Sequence, residues 1–255
     1  MNRRTMIAGV AAALAAAPAS ADAPEAFLSP TRHINSGHRA ICAVVADCCA
    51  GARTDADKAR ALFAFVRDEI LFGFGPGFWD QKATDVLAQR RGYCNTKSTL
   101  FAALLRAAGV PARQVFVDIH VSVLHGIVDP GTPYVDHSYV EVFLNGAWRP
   151  TDAYIADPAL FAAAQKRLAA EGRLMGYGVH ATGANTWDGE TPSFAQYNIL
   201  DPRPIGARTH GVYADVGDFY ARAEGVHNRL NPPLRAAFGV LAAGANRNAA
   251  RVRAA

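Results

Sequence analysis

The stretch His137-Ser138-Tyr139-Val140-Glu141-Val142-Phe143-Leu144-Asn145-Gly146-Ala147-Trp148-Arg149-Pro150-Thr151-Asp152 reads as two strands around a two-residue turn. Asn-Gly is the dipeptide that a type I′ hairpin favours, because both turn positions need positive φ. With that turn fixed, Leu144 faces Ala147, Phe143 faces Trp148, Val142 faces Arg149 and Tyr139 faces Asp152. Side chains alternate along a strand, so His137 shares the face of Tyr139. His137 and Asp152 become diagonal neighbours, roughly 7–8 Å apart between α-carbons. An imidazole and a carboxylate can meet across that gap. The carboxylate would then fix the ring tautomer and leave the second nitrogen for a thiol. Asp136, one residue earlier, points to the opposite face and is not the expected partner.

A suitable thiol lies upstream. Arg91-Gly92-Tyr93-Cys94-Asn95-Thr96-Lys97 leads directly into an apolar helix carrying Leu100, Leu104 and Leu105 and closed by Gly109 and Pro111. A cysteine at a helix start faces unpaired N–H groups and the positive end of the helix dipole, which favour the thiolate. The same N–H groups can hold a developing oxyanion. A helix-start cysteine alone is commonly a small buried hydrophobe, and a strand histidine or strand-end aspartate is commonly a packing or turn residue. The three together, in this geometry, point to nucleophilic catalysis.

Three blocks carry a family resemblance: Arg91 to Cys94, then Leu100 to Leu105 with Arg106-Ala107-Ala108-Gly109-Val110-Pro111-Ala112-Arg113, then His137 to Val142 with Gly146-Ala147-Trp148 and Asp152. In order and in local residues, over about 60 to 155, they resemble the transglutaminase-like superfamily. The resemblance implies an α+β, papain-like fold with the nucleophile helix packed on an antiparallel sheet. It also implies a catalytic set of Cys94, His137 and Asp152. Ser138-Tyr139 stand where relatives often carry Ala-Trp. Lys97 stands where many carry a small or apolar residue, and it is expected on the solvated side of the helix. A second oxyanion donor is expected from Gln81 or Trp79, with Gln89 a weaker choice. Tyr93, Lys97, Tyr139 and Trp187 are candidates for the substrate cleft, and His120 and His125 flank a loop near it.

The remainder of the chain bounds this reading. Its 255 residues suffice for a sizeable core, and 51% apolar with 19% charged residues is a globular composition. Arg3-Arg4, an apolar run from Met6 to Ala17 and Ala19-Ser20-Ala21 have the layout of a secretory leader, the paired arginines fitting either a twin-arginine signal or an ordinary basic n-region. The expected destination is periplasmic or secreted, with no stable membrane span after cleavage. The formal charge is +4, or +2 without Arg3 and Arg4, and no basic run suggests nucleic acid. Cys42, Cys48 and Cys49 have no metal-ligand spacing. On one continuous helix, Cys42 would lie about 9–10 Å from the other two, too far for a disulfide.

Helices are expected over 36–50, from Thr54 as N-cap, over 84–89, from Asp157-Pro158 to about Arg173, and over 215–226 and 234–243. Strands are expected over 115–123, 137–144 and 147–151. Residues 176–211 read as long loops, and the tail after Gly244 as frayed or solvated. The implied organisation is a leader at 1–21, a catalytic core at 22–155 and a helical, loop-rich C-terminal extension at 156–255. The chemistry needs no metal or organic cofactor. The expected substrate is a peptide, protein or cell-wall-derived amide, hydrolysed through a thioester. Acyl transfer from glutamine to an amine is an alternative outcome of the same chemistry, and a non-catalytic peptide- or cell-wall-binding module is the alternative of another class.

Overall fold

A computed structural model describes residues 23–196, 205–226 and 232–255. The expected leader at 1–21 lies outside the described residues. Helix α1, Arg39–Cys48, starts with the His38 ring accepting from the Ala40 amide at 3.2 Å. It is one unbroken helix through Cys42 and Cys48, and all four cysteines are free thiols. Helix α2, Asp55–Glu69, begins with a capping box: the Asp57 amide donates to Thr54 Oγ1 (3.1 Å) and the Thr54 amide to Asp57 Oδ2 (3.0 Å). Its apolar face, Ala59, Leu62, Phe63 and Val66, is buried as the three- and four-residue spacing requires.

Strand β1, Leu71–Phe72, pairs in parallel with β2, Arg91–Gly92, across the short helix α3, Ala83–Gln89. This pairing delivers the chain to helix α4, Cys94–Ala107. Gly92 permits the approach: a Cβ there would sit 2.9 Å from Lys97 Cγ and from Thr96 Oγ1.

Strands β3, Ala112–His120, and β4, Tyr134–Leu144, are antiparallel with Val117 opposite His137. The strand expected over 115–123 begins earlier and stops at His120, because Val121–Leu124 turns into a short 3-10 helix. Strand β5, Ala147–Thr151, returns from the Asn145-Gly146 turn, both residues at positive φ (52° and 79°). Leu144 pairs with Ala147, Phe143 with Trp148 and Val142 with Arg149, the register that the turn dictates.

Helix α5, Pro158–Glu171, is capped by Asp157, whose carboxylate accepts from the Leu160 amide. Two short strands follow, β6, Met175–Gly176, and β7, Val179–His180, then β8, Ile205–Tyr213. Helix α6 spans Val216–Arg222 and α7 spans Pro232–Arg253. The main sheet has the order β5-β4-β3-β8, all antiparallel. This is a mixed α/β structure with an antiparallel sheet, as expected of a papain-like, transglutaminase-like fold.

Two expectations about the C-terminal part are corrected. The 176–211 stretch is not all loop, since its end joins β8, the fourth strand of the main sheet. The tail after Gly244 is not frayed: it is helical, with Arg247 and Arg251 exposed and Ala245, Ala249 and Val252 buried. Helix α7 runs to Arg253, whose guanidinium donates to the buried Asp157 carboxylate at 2.7–3.1 Å and to the Phe72 carbonyl at 2.6 Å. The stretch reads as tail from its arginines, yet one of them holds down the helix end.

His33 clips the N-terminal segment to two distant elements. Its Nε2 lies 3.0 Å from Asp80 Oδ1 and its Nδ1 lies 3.3 Å from Asp215 Oδ2. Burial disfavours the charged ring, but the bonds to Asp215 and Asp80 outweigh it and raise the His33 pKa above the usual 6.5. The stabilisation is complete below 6.5 and is lost as pH rises through the raised value. The melting-temperature gap between the parent and His33→Ala is therefore expected to be largest near pH 5.5 and to shrink by pH 8.5. A gap independent of pH would show that the clip is not an ion pair.

Candidate active site

Cys94 is the first residue of α4, so its amide N–H lies outside the intrahelical ladder. Its Sγ is 3.7 Å from Asn95 Oδ1 and 4.0 Å from the Asp136 carbonyl oxygen. The thiol thus approaches β4 beside His137, where β5, whose pairing ends at Val140–Thr151, no longer covers that strand edge.

Asp152 follows the last residue of β5. Its Oδ2 is 3.0 Å from His137 Nε2, and its Oδ1 accepts from the Ala195 and Gln196 amides. One carboxylate oxygen is held by backbone while the other orients the ring. The His137 side chain also hydrogen-bonds to that of Cys94. With Nε2 facing Asp152, Nδ1 is the ring atom left for the thiol. Burial works against a charged His137, but the bonds to Asp152 and Cys94 prevail and raise its pKa to about 9. At neutral pH the ring is thus favoured as imidazolium between a carboxylate and a thiol.

Helix α4 is tied to β4 one turn beyond the thiol. Ser98 Oγ donates to the Ser138 carbonyl (3.1 Å) and therefore accepts from the Tyr154 hydroxyl (2.6 Å). Gln114 on β3 donates to the Asn95 carbonyl at 3.2 Å. The ties flank the His137 position and fix the helix start against the strand.

The other sequence candidates fall in different places. Tyr93 stacks on Phe78 (ring centroids 5.4 Å apart) and Phe74 (5.0 Å) and, with Cys94, lines a cavity of about 210 Å³. Gln81, Trp79, Lys97, Tyr139 and Trp187 are not among the residues lining that cavity. Gln81 Nε2 donates to the Phe78 carbonyl at 2.6 Å, which directs its amide at its own loop. Trp79 stacks on Tyr220 with centroids 4.4 Å apart, and the Tyr220 hydroxyl accepts from Asn95. Tyr139 packs on Phe194, and Trp187 on Phe63 and Phe101.

Lys97 corrects its expected solvated placement. It is fully buried, with Nζ donating to the Ile155 carbonyl at 3.0 Å and the Ile70 carbonyl at 2.5 Å. Burial lowers its pKa to about 7. His125 lines a separate open cleft that shares Val128 and Asp129 with the Cys94 cavity, and His120 bonds to Ser122.

Sequence reasoning missed Asn95, Tyr220 and Gln196. Asn95 was legible as the neighbour of Cys94. The other two lie more than a hundred residues downstream and come close only through the fold. Asp118, Asp136 and His210 place ligand-type atoms within 4.8 Å of one another. These groups already engage protein partners: His210 Nε2 is 2.8 Å from Asp118, and the Tyr220 hydroxyl donates to Asp136 at 3.4 Å.

A cysteine at the start of a buried helix, facing a histidine and an aspartate brought together by an antiparallel strand pair, defines a site of the cysteine hydrolase or transferase class. Residues 42–153 match the model of the transglutaminase-like superfamily. Among solved structures, the chain is similar to a protein from Cytophaga hutchinsonii named a "Putative Cysteine Protease", with 21% identity and a TM-score of 0.40. The similarity covers 49% of this chain and 39% of that one, so the match spans about two fifths of its length. No curated protein matches the chain. Among the described residues, no helix is long and apolar enough to cross a membrane.

The buried ammonium supplies a test of how the site is held. Lys97→Met leaves the Ile70 and Ile155 carbonyls without their donor, and each buried polar group so orphaned costs about 1–3 kcal/mol. Denaturant unfolding at pH 8 is expected to show a loss of about 2 kcal/mol or more. Because the folded Lys97 pKa lies below the usual 10.5, the unfolded chain binds more protons between about pH 7 and 10.5, and the Lys97 contribution rises with pH across that window. The variant should lack that rise. Parent-like stability and an unchanged pH slope would contradict the assignment.

Proposed function

We propose that the chain is a thiol-dependent amide or peptide hydrolase with Cys94 as nucleophile, His137 as proton carrier and Asp152 as the group that orients it. The observation that carries the reading is the run of contacts Asp152 Oδ2 to His137 Nε2 at 3.0 Å and His137 to Cys94. In the reaction His137 holds the proton of the Cys94–His137 pair and the Cys94 sulfur bonds to the substrate carbonyl carbon. The Cys94 amide N–H is placed to receive the oxyanion. His137 returns the proton to the departing amine as the carbon–nitrogen bond breaks, leaving a thioester. Water, deprotonated by His137, then releases the acid and restores the thiol.

An amine in place of water would give acyl transfer through the same thioester. The family match agrees with either outcome and supports a peptide or protein substrate; a cell-wall-derived amide belongs to the same proposed class. The same reading takes 1–21 as an export leader to the periplasm or medium, 22–155 as the catalytic core and 156–255 as its C-terminal extension. That extension supplies β8 and α7.

The test is the rate of Cys94 alkylation by iodoacetamide against pH, in a chain with Cys42, Cys48 and Cys49 replaced by serine. Because the imidazolium stabilises a neighbouring thiolate, His137→Ala is expected to slow alkylation at pH 6 by about tenfold or more, the equivalent of one pKa unit. Equal rates with and without His137 would leave a protein that keeps the fold without the chemistry. Acid and ammonia release from a glutamine-containing peptide, with and without added amine, then separates hydrolysis from transfer.

A further inference from the structure

We infer that the cavity beside Cys94 selects the acyl side of the substrate, accepting an aromatic or medium-length aliphatic group next to the carbonyl under attack. This rests on the reading of Cys94 as nucleophile. The cavity has a volume of about 210 Å³ and is lined by Cys94 itself. An apolar protein cavity of about 150 Å³ holds a benzene ring, so this one admits a phenyl group or a chain of several methylenes.

Its wall is a run of aromatic contacts. Phe72 meets Phe74 (ring centroids 6.1 Å apart), Phe74 and Phe78 both stack on Tyr93, and Phe238 closes on Phe78 at 4.2 Å. Phe78 sits at φ 52°, a left-handed conformation that a bulky side chain adopts only when its surroundings impose it. That geometry accompanies a ring held between Tyr93 and Phe238.

The opposite wall comes from α7, through Phe238, Leu241, Ala242 and Ala245. Helix α7 is not loosely laid over the opening. Asn246 accepts from the Phe74 amide at 2.8 Å and donates to the Phe74 carbonyl at 2.9 Å, and Asn248 donates to the Ile127 carbonyl at 3.0 Å. With the Arg253–Asp157 contact, these fix the helix and hence the width of the cavity. The exposed Asp129 is also part of the lining, and its charge disfavours an acidic acyl group.

The wall formed by α7 lies outside residues 42–153, the span matched by the family model. Selection by this wall is therefore a property of the chain's own C-terminal part rather than of the shared core.

The experiment has two readouts on the full chain. The first is protection of Cys94 from iodoacetamide, followed by peptide mass spectrometry, using hexanamide and 3-phenylpropanamide against acetamide and succinamate. The second is Cys94-dependent turnover of p-nitrophenyl hexanoate against the acetate. Burial of each methylene corresponds to about fourfold in affinity. The apolar amides are expected to protect at concentrations at least tenfold lower than acetamide, and hexanoate should exceed acetate in kcat/KM by a similar factor. Ala242→Trp, which fills the cavity, should erase both preferences. Val240→Ser, on the exposed side of α7, should preserve them.

Equal protection by all the amides, or preference for succinamate, overturns the inference even if Cys94-dependent turnover persists. Selective protection without Cys94-dependent turnover leaves an apolar ligand pocket and overturns its acyl role together with the nucleophile assignment.

Discussion

The first half of α4 is polar and wholly buried, and the surrounding structure is arranged to satisfy it. Asn95, Thr96, Lys97, Ser98 and Thr99 have no water to bond to. Each such group left without a partner would cost about 1–3 kcal/mol. Asn95 meets Tyr220, Thr96 meets the Tyr93 backbone, and Lys97 meets two carbonyls. Ser98 meets Ser138 and Tyr154, while Thr99 donates to the Asn95 carbonyl. The partners come from α6, from Ile70 at the end of α2, from β4 and from the segment after β5, so one short stretch of helix is tied to four other parts of the fold. An apolar helix could slide or rotate with modest penalty; this one is registered through Asn95, Lys97, Ser98 and, by way of Gln114, Thr99.

That registration carries through to the thiol. The Ser98 tie to Ser138 immediately follows His137 in sequence, and the Lys97 tie to Ile155 lies three residues past Asp152. The ring and the carboxylate are thus each held near a bond from α4, the helix that carries the thiol. The charges follow the same economy. An imidazolium in a fully buried place needs a negative partner, which Asp152 provides on one side, with the Cys94 side chain on the other. Asp152 is in turn held by two backbone amides from the 195–196 segment. The orientation of the ring thus depends on chain far outside the hairpin that carries it.

Local rules made part of this legible. The Asn145-Gly146 turn demands positive φ at both positions, so one dipeptide set the register of β4 against β5 and with it the His137–Asp152 pair. The Thr54 cap, the spacing of Leu62, Phe63 and Val66, and the helix start at Cys94 are local in the same sense. What was not legible depended on partners distant in the chain. Lys97 looks solvated because lysine usually is, and its burial rests on carbonyls 27 and 58 residues away. The arginines of the C-terminal tail suggest solvent until the buried Asp157 carboxylate is placed beside Arg253. Strand β8, rich in glycine and polar residues at its visible end, becomes a strand by pairing with the already formed β3.

The same division between local and distant separates chemistry from selectivity. Cys94, His137 and the strand pair lie within the matched core, where short-range turns and caps hold them. The cavity outside the thiol is closed by Gln196 and by α7, which reach it from the far end of the chain and are secured by Asn246, Asn248 and Arg253. A change on the cavity face of α7 can therefore reshape what reaches the sulfur without disturbing the bonds that register α4. A change in α4 cannot leave the cavity untouched, because Tyr93, which caps the helix, is also the central ring of the aromatic wall. Tyr93 is thus the point at which the placement of the Cys94 thiol and the shape of the pocket are coupled.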